Sequence, residues 1–389
     1  VFILSFNDFT LSGSKRLDCN LWHFKMPQEL LPDDENASII LVMGITGAGK
    51  SYFINKAAGQ ELAGVGDSLK SCEFCNRFYI DGSTDICKGT EKPVVIPTMI
   101  GKEKVLLIDT PGFDDTSRSD TTILTEISRF LTFQYESGLK LKGVVFLHRI
   151  TDVRMSGASV KTLNICLKIC GKAALKNVIL VTTMWKGVDP KVGAAREKEL
   201  RDEFWKLMLN FGSTMMRYHG DEDSAVAIAS QLLSKSTIVL ELQRELVDES
   251  KKLSDTAAGS FVNDNIEDLK TKYEEELHSL DQLRRDLIDS DREMKRQLQQ
   301  EFADEKRKLE TLSLQQRQLQ RYVGQEVRAD MQRETQKRSK IWKLLPLLPS
   351  VLSLVGMFVG VPPGAIEIFT GWFATTGIGE SFADCFSSN

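Results

Sequence analysis

Glycines at 44, 47 and 49, a lysine at 50 and a hydroxyl at 51 spell GxxxxGKS in Gly44-Ile45-Thr46-Gly47-Ala48-Gly49-Lys50-Ser51, a spacing whose chemistry is the capture of a polyphosphate. Glycines there let the backbone turn tightly with its N–H groups pointing inward, and a helix starting at the loop adds the positive end of its dipole. Lys50 would reach the β- and γ-phosphates as the catalytic charge, while the Ser51 hydroxyl would ligate magnesium. Thr46, Ala48 and Tyr52 complete the expected phosphate-side set. A second group, Asp109-Thr110-Pro111-Gly112, reads DxxG. Its carboxylate is suited to hold the metal, usually through water, and the Gly112 N–H to meet a terminal phosphate.

Such groups act only if strands and helices hold them in place. Ile39-Ile40-Leu41-Val42-Met43 reads as a buried strand running into the glycine loop, and Tyr52-Phe53-Ile54-Asn55-Lys56 as the helix leaving it. Val105-Leu106-Leu107-Ile108 is a second buried strand, ending at Asp109. Gly143-Val144-Val145-Phe146-Leu147 and Asn177-Val178-Ile179-Leu180-Val181-Thr182-Thr183 are two more, separated by helical patterns at 119–138 and 159–170 and followed by others at 193–209 and 224–246. Strands alternating with helices predict an α/β fold, a mainly parallel sheet covered by helices on both faces. This is the P-loop NTPase plan, over residues 38–246.

The chain of 389 residues, 42% hydrophobic and 27% charged, exceeds one ordinary domain and can bury a large core. A net charge of −4 gives no reason to expect nucleic acid as a partner. Seven scattered cysteines fit reduced thiols and a cytoplasmic setting. Cys72, Cys75 and Cys87 lack the fourth ligand of a closed zinc site. Residues 1–37 read as an extension outside the core, with 1–25, ahead of Met26, as translated upstream sequence.

GITGAGKSYFINK, LLIDTPGFDDT, VVFLHRITDVRMSG and VILVTTMWKGVD together resemble the fungal G-domain proteins related to septins, to immunity-associated GTPases and to chloroplast import receptors. The resemblance covers about residues 38–245. It implies a Ras-like G domain that binds GTP/GDP with Mg2+, places Thr182 and Thr183 on the nucleotide, and self-associates across the G domain. Two departures stand out. The strand before Met184-Trp185-Lys186 lacks the aspartate that reads guanine in many GTPases, and Asp189 comes three residues late. ATP therefore stays open. Phe113 occupies the position after Gly112 where Ras-type enzymes carry a water-positioning glutamine, which implies slow intrinsic turnover. His148, Arg149 and Arg154 are candidates for a group supplied by a second copy, against the plainer reading of surface or core side chains.

A GTPase also needs a first-switch threonine on the metal, and here Thr90 is the candidate catalytic and metal-ligating residue. Deleting 73–89 would restore Cys72-Thr90 leading into Val94-Val95-Ile96. We read 73–89 as a retained intron; the alternative is a genuine switch-loop insertion, which loops tolerate at small cost.

Past a linker at 247–263, residues 264–340 turn rich in Glu, Lys, Arg, Gln and Leu. Ile266, Tyr273, Leu280, Leu287 and Met294 recur at heptad spacing, with Leu269 and Leu283 between them. This predicts a coiled coil, the alternative being a charged helix packed back on the G domain. Residues 341–389 form a hydrophobic segment. Within it 344–361 carries no charge but is broken by Pro346 and Pro349, and Arg333, Lys337, Arg338, Lys340 and Lys343 precede it. A membrane hairpin, a lipid-surface anchor and a buried cap all fit that pattern. The leading function is a slow, magnesium-dependent GTP-hydrolysing switch coupled to self-association; the rivals are a coiled-coil scaffold with little turnover and an ATP-specific P-loop enzyme.

Overall fold

The computed structural model describes residues 37–60, 93–114, 118–286 and 292–344. Six strands, β1 (Ser38–Gly44), β2 (Val94–Ile100), β3 (Glu103–Asp109), β4 (Lys140–Arg149), β5 (Val178–Thr183) and β6 (Thr214–Arg217), form one sheet in the order β2-β3-β1-β4-β5-β6. Only β2 runs antiparallel, against β3. Parallel strands covered on both faces must be apolar throughout, which is why these runs read as unbroken rather than alternating. All of β1 is buried. Ile39, Leu41 and Met43 face one core with Val144, Phe146 and Leu180, and Ile40 and Val42 face the other with Val145, Leu147 and Val181.

The helices are α1 (Lys50–Ala58), α2 (Asp120–Glu136), α3 (Gly157–Ala174), α4 (Pro190–Glu199), α5 (Lys206–Asn210), α6 (Glu222–Leu233), α7 (Glu241–Gln243), α8 (Ala257–Asp286), α9 (Arg292–Leu319) and α10 (Val323–Leu344). α1 and α6 cover one face of the sheet, and α2 and α3 the other. Serine caps start α2 and α3: the side chains of Ser119 and Ser156 accept from the N–H groups of Thr122 and Ser159. The expected helix 193–209 begins earlier, at a capped Pro190, and loosens into a π-turn at Leu200–Phe204 before α5.

The expected single helix over 224–246 is two. α6 packs on one face of the sheet, whereas Leu240 and Leu242 are buried in the core of the other. A straight helix cannot serve both faces. The chain therefore breaks after α6, and the Ile238 N–H donates to the Leu141 carbonyl at 2.9 Å as it crosses.

The C-terminal helices do not form one long rod. α8 and α9 lie antiparallel, with Lys270 Nζ donating to Gln316 Oε1 at 3.0 Å and the Lys308 ammonium over the Tyr273 ring. Their near ends pack on the α2/α3 face through Ile266, Leu312 and Leu319, and α10 follows through Val323 and Val327. Leu269, Leu283 and Met294 of the heptad pattern stay exposed. The near ends of these helices thus pack back on the G-domain face, and the heptad pattern does not form one continuous buried seam. Arg129 on α2 pairs with Glu326 and Asp330 on α10, and Arg328 reaches Glu136. Within 247–263, Leu253, Ala258 and Val262 are buried, and the Glu245 carboxylate accepts from the Ala257 N–H.

Residues 73–89, Thr90, residues 1–36 of the N-terminal extension and all of the hydrophobic segment past Leu344 lie outside the described residues, whereas Ala37, expected outside the core, is buried in it. Among the described residues no helix is long and apolar enough to cross a membrane, and no group of three or more His, Cys, Asp or Glu side chains could hold a metal.

Candidate functional site

The glycine loop joins β1 to α1 at the carboxyl edge of the sheet, the edge where open α/β folds bind ligands. Close packing forces a glycine at 44 in this loop and at 112 in DxxG. A methyl on Gly44, at φ 147°, would sit 2.5 Å from the Leu147 carbonyl oxygen, and one on Gly112 would sit 2.5 Å from Thr46 Oγ1 and 2.6 Å from its backbone nitrogen. The two motifs touch at that second point. Thr46 N–H donates to the Phe113 carbonyl at 3.2 Å and its hydroxyl to the Gly112 carbonyl at 3.3 Å, while Thr110 Oγ1 donates to Val42 O at 2.7 Å. GxxxxGKS and DxxG are therefore laced together by short-range bonds.

Lys50 lies buried inside the loop, its ammonium donating to the carbonyls of Gly44 at 3.3 Å and Ile45 at 3.0 Å. Ser51 Oγ donates to Asp109 Oδ2 at 2.6 Å. A hydroxyl and a buried carboxylate that converge at the start of α1 are hard oxygen donors, and they fit a magnesium ion. Lys50, Ser51, Asp109 and Gly112 are thus brought together as the spacing predicts. Phe113 is 1% exposed, its ring in the core.

On the β5 side the expectations divide. Thr183 Oγ1 donates to the Ala48 carbonyl at 3.0 Å and so positions the loop. Thr182 is fully buried, its hydroxyl turned to Met216 O and to the Trp185 indole N–H. Tyr52 reaches toward the loop after β6, its hydroxyl donating to Gly220 O at 3.1 Å. Asp189 stands at the N-cap of α4, its Oδ1 accepting from the N–H groups of Lys191 at 2.8 Å and Val192 at 3.2 Å.

His148 is also set aside as a group for a second copy. It is buried edge-on against Trp205, and burial pulls its imidazole pKa below the ordinary histidine value. Arg149 lies over the phosphate loop, where a methyl on Gly47 would be 3.2 Å from its Nη1, and it pairs with Asp152 at 3.1 Å. Arg154 is exposed. The sequence pattern missed one feature outright, the Arg217 guanidinium stacked 4.3 Å from the Trp185 ring centroid and bonded to Glu197. Only the Arg and Trp types hinted at it.

No protein-family model matches the chain. Over 158 residues it is 27% identical to GTP-binding protein A of Dictyostelium discoideum, a match that covers 40% of this chain and 30% of that protein. It is 29% identical over 158 residues to Translocase of chloroplast 90 of Arabidopsis thaliana, covering 39% of this chain and 17% of that protein. The chain thus spans less than a third of either relative. Among solved structures, Toc33 of Arabidopsis thaliana in complex with Mg2+ and GMPPNP overlaps 53% of this chain and 89% of its own, at 17% identity and a TM-score of 0.40.

Proposed function

We propose that this protein binds a magnesium-bound nucleoside triphosphate, GTP in our reading, hydrolyses it slowly, and uses the bound state to govern self-association. The observation that carries this reading is the 2.6 Å contact between Ser51 and Asp109 beside the buried Lys50 ammonium. Hydroxyl, carboxylate and ammonium then occupy the three roles that phosphate and metal demand. The likeness to GTP-binding protein A supports guanine as the base, within the wider class of septin-like and import-receptor G domains. Slow turnover follows from Phe113, whose buried ring leaves no water-orienting side chain after Gly112. Arg149, beside Gly47, reaches the phosphates from within the chain, and the exposed Arg154 is free to serve a second copy. The test is Mg2+-dependent titration of the full chain with a fluorescent GTP analogue, followed by phosphate release across protein concentrations. Tight binding with a rate that climbs with concentration is expected.

A scaffold with little turnover is the second reading, favoured by Phe113 and by the helical layer on α2. A rate indistinguishable from buffer at every protein concentration would establish it in place of the first.

A further inference from the structure

The metal pair orients the ligand along the sheet edge. Ser51 and Asp109 stand on the β3 side of the loop, so the terminal phosphate lies there and the nucleoside runs the other way, over the ends of β5 and β6. The two loops at those ends are both tied to the phosphate-binding segment, one through Thr183 on Ala48 and the other through Gly220 on Tyr52. Directly after Thr183 stands Met184, exposed, with φ at 61°. Non-glycine side chains enter that left-handed region rarely and at a cost, and such outliers gather at ligand sites. Its neighbour Trp185 cannot take the role. The indole N–H donates to Thr182, Arg217 lies over the ring, and Gly193 packs so close that a methyl there would be 2.7 Å from it.

Guanine differs from hypoxanthine only by its 2-amino group, a donor that is read by an acceptor such as a carboxylate. The aspartates on these two loops each commit Oδ1 to a helix cap. Asp189 caps α4, and Asp221 caps α6, accepting from the Ser224 N–H at 2.8 Å. Lys186 can only donate. From these placements we propose that the protein holds a purine by its face, on the Met184 thioether, and leaves the 2-amino edge unread. The chain then accepts GTP and ITP alike. This rests on the phosphate-site reading above, and the experiment separates the two.

Calorimetric titration of the full chain with Mg2+ and tripolyphosphate, GTP or ITP is the measurement. Tripolyphosphate should bind, and GTP and ITP should agree within about threefold. Asp189→Asn should leave GTP affinity unchanged. Met184→Gly should weaken GTP and ITP together by about five- to tenfold, the share of a lost thioether–ring contact. Its tripolyphosphate affinity should stay the same, and its melting temperature should not fall, since glycine adopts φ 61° without strain. A preference for GTP over ITP of about tenfold or more, or a loss of GTP affinity in Asp189→Asn, would reveal a carboxylate reader and overturn the proposal. Full GTP affinity in a stable Met184→Gly protein would overturn it equally. Failure of tripolyphosphate to bind would strike the phosphate site itself.

Discussion

The phosphate edge and the C-terminal helical layer hang on the same sheet by opposite means. At the edge, Thr46, Thr110 and Thr183 tie three loops together through main-chain carbonyls, over distances from 2.7 to 3.3 Å. The helical layer is held to the α2/α3 face by an apolar seam that includes Ile266, Leu312, Leu319, Val323 and Val327, flanked by the long charged side chains of Arg129 and Arg328. Short hydroxyl side chains bonded to main-chain carbonyls leave few alternative geometries, whereas flexible ion pairs at a half-exposed surface tolerate several. The edge is thus fixed in geometry, and the charged rim of the layer is adaptable.

The largest expected effect breaks the edge chemically. Lys50→Ala removes a charge-assisted donor to phosphate and should cost about 1.5–3 kcal/mol of binding, roughly ten- to a hundredfold, in a fluorescent-nucleotide titration. Unchanged affinity would remove Lys50 from the site.

Gly112→Ala attacks the lacing. Its methyl would fall 2.5 Å from Thr46 Oγ1, and such overpacking typically costs about 1–3 kcal/mol. Melting temperature and nucleotide affinity should both drop; a variant that melts as the parent does would show that the two loops are not coupled.

A double Arg129→Ala, Arg328→Ala variant loosens the layer instead. These pairs are partly exposed, so the loss of stability should stay near or below about 1 kcal/mol. Hydrogen exchange should quicken in α10 and stay the same in α1. Equal quickening in both would mean that layer and edge are one unit.

The smallest effect concerns pH. Burial lowers the folded-state pKa of His148, so the unfolded chain takes up a proton that the folded chain resists. Above the unfolded value of about 6.5 the group contributes nothing, and stability declines as pH falls below it. Urea midpoints should decrease from pH 7.5 to 5.5, and His148→Gln should flatten that slope. A parent profile already flat over this range would contradict the burial of a neutral imidazole.

Much of the edge was legible because its chemistry is local. Lys50 and Ser51 follow the glycines by one and two positions, and Asp109 ends a run of apolar residues that can only be a buried strand. The helical layer was legible as helix but not as arrangement. Heptad spacing says that an apolar stripe wants a partner, and does not say whether that partner is a second chain, α9 or the surface of α2. The 224–246 pattern failed for a related reason: periodicity records which residues are buried, not which side of the sheet buries them.

Taken alone, the order of residues determined the glycine loop, the carboxylate at the end of β3 and the layered α/β plan, since each depends on neighbours a few positions apart or on strands too apolar to face water. Tertiary structure decided the remainder. Whether Asp189 reads a base or caps a helix depends on where α4 begins, and whether His148 is a free group or a buried one depends on Trp205 arriving from a distant turn. Met184 stands beside the glycine loop only because Thr183, its neighbour, is bonded to Ala48. Such outcomes rest on contacts between residues far apart in the chain, which no local pattern encodes.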